Sequence, residues 1–193
     1  MDTGNQDRTV QTTATTRPGD RCKVELPDGL GHLIFWPILL SGLLADLWTK
    51  QAVFRWLESK LGQSAEIVDG LLSFRLALNN GAAFGIFPGQ PAFLVSISVV
   101  ALLVILGFFF FFAARQRMMQ ILLGLFAAGV SGNLWDRLFN EGLVRDFIDV
   151  YWRNHHWHTF NVADTMLVIA AVLLVITTLL TGSSDRTHAP PRR

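Results

Sequence analysis

Cysteine is almost absent. Cys22 is the only one in the chain, which excludes an internal disulfide and any zinc site built on several thiolates. It lies in a polar N-terminal stretch with no apolar segment before it, so it fits no lipidation box and reads as an incidental thiol. Charge is scarce too: 16% of the residues are Asp, Glu, Lys or Arg, and the formal net charge is +1. No basic tract interleaved with aromatics occurs, so no nucleic-acid partner is expected. The chain has neither a Gly-x-Ser-x-Gly elbow nor a His-Glu-x-x-His helix motif, which removes the common serine-hydrolase and zinc-peptidase signatures. His155, His156 and His158 form the one histidine cluster; a solvated or interfacial loop is a plainer reading of it than a metal centre. The absence of a sequence repeat weakens the case for an inverted-repeat transporter.

What the chain has is apolar residues, 51% of the total, gathered in blocks too long for a soluble core. Four blocks approach the ~20 residues that a helix needs to cross ~30 Å of hydrocarbon. They run over about 33–51, 92–114, 118–139 and 161–181. An all-α bundle of four transmembrane helices is expected. The first block begins too late for a secretory signal peptide and ends on the polar run Asp46-Leu47-Trp48-Thr49-Lys50, so it is expected to remain as an anchor. The organisation follows: a polar, disordered tail over 1–31, a membrane domain over 32–181 and a polar, basic tail over 182–193. Four spans put both termini on one side. Arg115 and Arg117 between the second and third spans, with the basic tails, favour the cytoplasm for that side.

Two outer loops remain, about 52–91 and 140–159. In the first, Ser73-Phe74-Arg75-Leu76-Ala77-Leu78 alternates polar and apolar and predicts a half-buried strand, followed by the turn signal Asn79-Asn80-Gly81 and a return strand over 82–87. A small sheet at the membrane surface is expected. In the second, Tyr151, Trp152 and Trp157 suit the headgroup layer, and a short amphipathic segment lying on the surface is the expectation. The run Phe108–Phe112 reads as lipid-facing bulk.

The informative residues are acids that accompany the greasy segments. A carboxylate near hydrocarbon costs roughly 2.5–3.5 kcal/mol on insertion scales, so it is a candidate functional group by default. Asp146 precedes the last span and Asp164 lies just inside it, eighteen residues on. They meet only if the loop between them folds back over the bundle. If they meet, each raises the other's hold on a proton, one carboxyl stays protonated near neutral pH, and the pair has the chemistry of an aspartyl hydrolase. Asp149 is the rival for the role of Asp146, though its spacing points it toward the headgroups.

Asn161 and Asp164 share a face at the start of the fourth span, where a lone Asp would simply favour the positive end of the helix dipole. Asn133, Asp136 and Arg137 share a face of the third, above the small residues Ala128, Gly129 and Gly132. The plainer account of that face is packing capped by an Asp136–Arg137 pair. Asp46 and Lys50, one turn apart, read as a structural pair. Two other classes stay open: a proton-coupled carrier that uses the acids as a relay, and a scaffold with no chemistry. A carrier predicts acids spread through the membrane, whereas here the inner halves of all four spans have none.

Five blocks in order resemble the bacterial lipoprotein signal peptidase (signal peptidase II) family. They are Asp46-Leu47-Trp48-Thr49-Lys50; Asn79-Asn80-Gly81-Ala82-Ala83-Phe84-Gly85; Gly132-Asn133-Leu134-Trp135-Asp136-Arg137; Val144-Arg145-Asp146-Phe147; and Phe160-Asn161-Val162-Ala163-Asp164. Leu47 stands where many members have Gln. The resemblance implies an intramembrane aspartyl endopeptidase of the inner membrane, a monomer that needs no cofactor or metal. It would remove signal peptides from prolipoproteins before the diacylglyceryl-modified cysteine, with membrane lipid around it. Asp146 and Asp164 would be the catalytic dyad. Asn79, Gly81, Ala83 and Phe84 would belong to an outer sheet that cradles the substrate. Asn133, Arg137 and Asn161 would line or brace the pocket, with Asp46, Lys50 and Asp136 in support. The resemblance also implies a four-helix bundle with a small extracytoplasmic β-sheet and a short surface helix.

Overall fold

The computed structural model describes residues 26–82, 86–113 and 115–184. Four of its helices are long and apolar enough to cross a membrane. They are α1 (Gly29–Glu58), α2 (Pro91–Phe112), α3 (Arg117–Phe139) and α4 (Val162–Ser184). Asp28 caps α1 by accepting from the Gly31 amide, and Pro91 opens α2, where its missing N–H costs no helical bond. At 30 residues, α1 spans about 45 Å, more than hydrocarbon requires. It starts and ends beyond the expected 33–51, and its last turns lie against the sheet.

The helix α3 is the axis of the bundle and packs on each of the other three. Its face of small residues, Gly124, Ala127, Ala128, Gly129 and Gly132, is buried. A side chain at Gly132 would collide with the Asp46 carboxylate, and one at Gly129 with the Ala163 carbonyl. Close backbone approach, not side-chain bulk, therefore joins these helices. The phenylalanine run divides: Phe108, Phe111 and Phe112 are exposed, but Phe109 is fully buried and stacks on Phe35 at 4.1 Å between ring centres. Five consecutive residues cover more than one full turn of helix, so the run also reaches the bundle-facing side, and Phe109 corrects the reading of the run as lipid-facing bulk.

Between the helices lies a four-stranded antiparallel sheet in the order β1 (Ser64–Val68), β2 (Leu72–Asn79), β3 (Val144–Trp152), β4 (His155–His156). The predicted strand over 73–78 is β2. Its neighbours are β1 and β3, joined in the register Ser73↔Asp149, Ala77↔Asp146 and Asn79↔Val144, with a bulge between Phe74 and Ala77. The expected return strand over 82–87 falls partly on 83–85, outside the described residues; the Ala82 amide bonds the Ile86 carbonyl across it. The second outer loop is strand β3 and a hairpin to β4, not an amphipathic surface segment. Its branched and aromatic run from Val144 to Trp152 finds a partner in β2, which a single segment cannot reveal. Among the described residues, the only helical element besides the four long helices is a 3₁₀ turn, Leu61–Gln63. The tails 1–25 and 185–193, with Cys22, lie outside the described residues.

Candidate active site

The loop between Asp146 and Asp164 does fold back. Phe160 pairs with Ile148: its carbonyl accepts from the Phe147 and Ile148 amides at 3.0 and 2.8 Å, and its own amide donates to Ile148 at 3.0 Å. The next residue, Asn161, thereby reaches β3, and α4 starts immediately after it.

That start is a reciprocal cap. The Asn161 side-chain oxygen accepts from the Asp164 amide at 2.9 Å, and the Asp164 carboxylate accepts from the Asn161 amide at 3.2 Å. Two amides that α4 cannot bond internally are satisfied, and the Asp164 side chain is held against the end of its own helix. With its oxygen so engaged, the Asn161 amide group must point its N–H bonds outward. Nδ2 donates to Asp146 Oδ1 at 2.6 Å and to Asn133 Oδ1 at 3.1 Å. Asn133, on α3, donates in turn to Asp164 Oδ1 at 2.8 Å. The second Asp146 oxygen accepts from Asn79 Nδ2 at 3.1 Å, and the Asn79 oxygen is occupied by the Gly81 amide at 2.9 Å. Three asparagines from three elements thus receive two carboxylates.

Asp146 is 1% exposed. Burial first, then the neighbouring Asp164 carboxylate, push its pKa up to about 7, against the pull of the hydrogen bonds from Asn79 and Asn161. It therefore carries a proton for much of the time near neutral pH. Both aspartates line one cavity of about 400 Å³. Asn79, Asn133 and Arg137 form its polar end; Trp157, Phe160, Leu167 and Val168 form apolar walls. Arg137 Nη2 donates to the Gly81 carbonyl at 2.9 Å and ties the turn after β2 to α3, while its buried Nε has no hydrogen-bond partner among the described residues.

A second layer lies beneath. Lys50, fully buried, pairs with Asp46 at 2.7 Å and Asp136 at 3.2 Å, and donates to Asn133 Oδ1 at 3.1 Å. An ammonium only donates, so it fixes the Asn133 oxygen toward itself and the amide hydrogens toward Asp164. Asp46 also accepts from the Ala163 amide at 2.8 Å, another group in the first turn of α4. Asp136 does not pair with Arg137, as the shared-face account expected. It takes the Arg145 guanidinium at 2.6 Å and the Arg145 amide at 2.9 Å, because β3 crosses the end of α3 there and offers a better-placed cation.

Of the residues singled out in the sequence, Asn79, Asn133, Arg137 and the two aspartates meet at the cavity, and Asn161, fully buried, bonds Asp146 and Asn133 from beside it. Asp46, Lys50 and Asp136 lie behind it. Gly81 is reached through Arg137, and Ala83 and Phe84 lie outside the described residues. Asp149 does not face the headgroups: three residues from Asp146 on a strand, it points to the opposite side of the sheet and is 1% exposed. Arg145 and the wall 157–160 were not anticipated; strand alternation would have placed Arg145 opposite Asp146, but its partner lies on another element. Among the described residues, no three His, Cys, Asp or Glu side chains converge as metal ligands would.

The chain is similar to several known proteins. The lipoprotein signal peptidase of Geobacter sulfurreducens is 37% identical over 148 residues, 75% of this chain and 91% of the relative. That of Clostridium novyi is 34% identical over 146 residues, 75% of this chain and 97% of the relative. Two solved structures of bacterial membrane enzymes, determined by the in meso method, superpose with TM-scores of 0.71 and 0.66 at 30% and 31% identity. They cover 87% and 81% of this chain and 98% and 97% of their own. The family model for signal peptidase (SPase) II matches residues 38–180, so this multi-pass membrane chain belongs to the signal peptidase II family.

Proposed function

We propose that the protein is an intramembrane aspartyl endopeptidase that removes the signal peptide from diacylglyceryl-modified prolipoproteins, cutting before the lipidated cysteine. One observation carries this reading: two acids from separate elements line a single cavity, joined through the Asn161 amide, in a chain whose relatives are lipoprotein signal peptidases.

Asp146, protonated up to about pH 7, donates to the scissile carbonyl oxygen. Asp164, ionised, takes a proton from a water that attacks the carbonyl carbon. The tetrahedral intermediate collapses as Asp164 passes that proton to the amide nitrogen and a hydroxyl proton returns to Asp146, freeing the cysteine amine and leaving a carboxyl on the signal peptide. Asn79, Asn133 and Asn161 hold both carboxylates in place before substrate arrives, so no reorganisation is needed at the moment of reaction. Arg137 Nε is a donor available to a substrate carbonyl.

The cavity is polar at the dyad and apolar along α4, which suits a peptide held at the hydrocarbon edge with its acyl chains in the bilayer. In this reading the protein is a monomer of the bacterial inner membrane with both termini cytoplasmic, and the sheet and dyad lie at the outer face.

The test is incubation of the purified protein with a diacylated prolipoprotein, with and without a cyclic-peptide inhibitor of the family such as globomycin. Cleavage before the modified cysteine is expected, and Asp164→Asn should lower it by about 10²–10⁴-fold while the protein still inserts. Undiminished cleavage by that variant would refute the dyad.

A further inference from the structure

Asp149 is a nearly fully buried acid that the proposed chemistry does not use. It accepts from Ser73 Oγ at 3.0 Å, faces Arg75 at 3.7 Å and meets His156 Nδ1 at 2.9 Å. The groups that face the imidazole come from three strands: Asp149 and Tyr151 of β3, Arg75 of β2, and Glu66 of β1, which accepts from the Tyr151 hydroxyl at 2.6 Å. Tyr151 stacks on the His156 ring with 5.1 Å between centres. Together they line a polar hollow on the side of the sheet away from the dyad.

His156 is the last residue of β4, and the chain then turns directly into the cavity wall. Trp157, His158, Thr159 and Phe160 all line the cavity that holds Asp146 and Asp164. Backbone hydrogen bonds tie this stretch to β3 at its two ends: the Trp157 amide donates to Val150 at 2.8 Å, and Phe160 makes three bonds with Phe147 and Ile148. The turn Arg153–Asn154 is exposed, with Arg153 at positive φ. At the residue just before the wall, the His156 side chain meets Asp149.

From this juxtaposition we infer that Asp149 and His156 are positioning residues for substrate: their contact, made on the far side of the sheet, holds the wall 157–160 in place over the dyad. The inference rests on the endopeptidase reading for its kinetic consequence, but its structural part does not.

The decisive variant is His156→Gln, because the ring is half exposed and its loss leaves no large void. Hydrogen exchange on the full-length protein in detergent should show the Trp157 and Phe160 amides exchanging about tenfold faster, with the thermal midpoint unchanged. Kinetics with the diacylated prolipoprotein should show KM raised about tenfold and kcat within about threefold. Asp149→Asn should raise KM similarly, and the double variant should be no worse than either single one. Unchanged exchange at the two amides would overturn the inference whether or not the protein cleaves prolipoprotein. Faster exchange with an unchanged KM would overturn its bearing on substrate. Failure of the wild type to cleave, with exchange altered as expected, would sink the endopeptidase reading and leave the wall contact standing.

Discussion

Asp146→Asn should separate stability from activity, in opposite directions. In the folded protein Asp146 ionises at about 7, against the ordinary 3.8. Below 3.8 the carboxyl is protonated in folded and unfolded chains alike and has no pH-dependent effect. Between 3.8 and about 7 the unfolded chain gives up the proton and the folded one keeps it, so folding takes up a proton and stability falls as pH rises. At about 1.4 kcal/mol per pH unit, the loss is about 4 kcal/mol by the time pH passes the folded value. An amide at this position has nothing to ionise. It pays a fixed penalty instead, because its NH₂ must face the donor of either Asn79 or Asn161, at about 1–3 kcal/mol. That penalty does not vary with pH. The wild type should therefore be the more stable protein near pH 4 and the less stable near pH 8. For a chain of this size the swing corresponds to roughly 10 °C in Tm. Thermal unfolding in detergent across that range reads it, and cleavage of prolipoprotein should fall by about 10²–10⁴-fold at every pH. Parallel Tm curves for the two proteins would refute the account, since they would mean that Asp146 is not held protonated by burial and its neighbour.

Three further outcomes follow from the same geometry. The kcat profile for wild-type cleavage should have its alkaline limb near pH 7, where Asp146 loses its proton; activity that continues to rise well beyond that pH would exclude a protonated Asp146 in the reaction. Lys50→Met leaves Asp46 and Asp136 buried without their shared cation and should destabilise the protein by about 3–5 kcal/mol, read as a lower Tm or as loss of folded protein in the membrane. Gly132→Ala drives a methyl group into the Asp46 carboxylate and should cost about 1–3 kcal/mol, whereas Gly107→Ala, which meets nothing on α2, should be neutral or slightly stabilising in the same assay.

Hydropathy and spacing made much of this molecule legible. The membrane is a solvent that tolerates only internally bonded backbone, so four long apolar blocks could be nothing but helices, and each helix was found close to where its block lies. The strand β2 announced itself by alternation and by the Asn79-Asn80-Gly81 turn. The chemistry-bearing acids were conspicuous for a simple reason: carboxylates are costly beside hydrocarbon, so the few present stand out. Their meeting was not legible. It depends on the Phe160–Ile148 pairing and on the register of β3 against β2, which arise from backbone hydrogen bonds that leave no periodic mark on a single segment. Partner choice was hidden for the same reason. On the plainer account of its face, Asp136 would pair with the Arg one residue along its own helix; it takes Arg145 from the crossing strand instead. Asp149 looked like a headgroup residue until the strand placed it inside, against Ser73 and His156. Local sequence thus determined which segments are helices and which residues are polar in apolar surroundings. Tertiary structure alone decided which of those polar groups share a cavity, because hydrogen-bond partners far apart in the chain are chosen by packing and not by proximity in sequence.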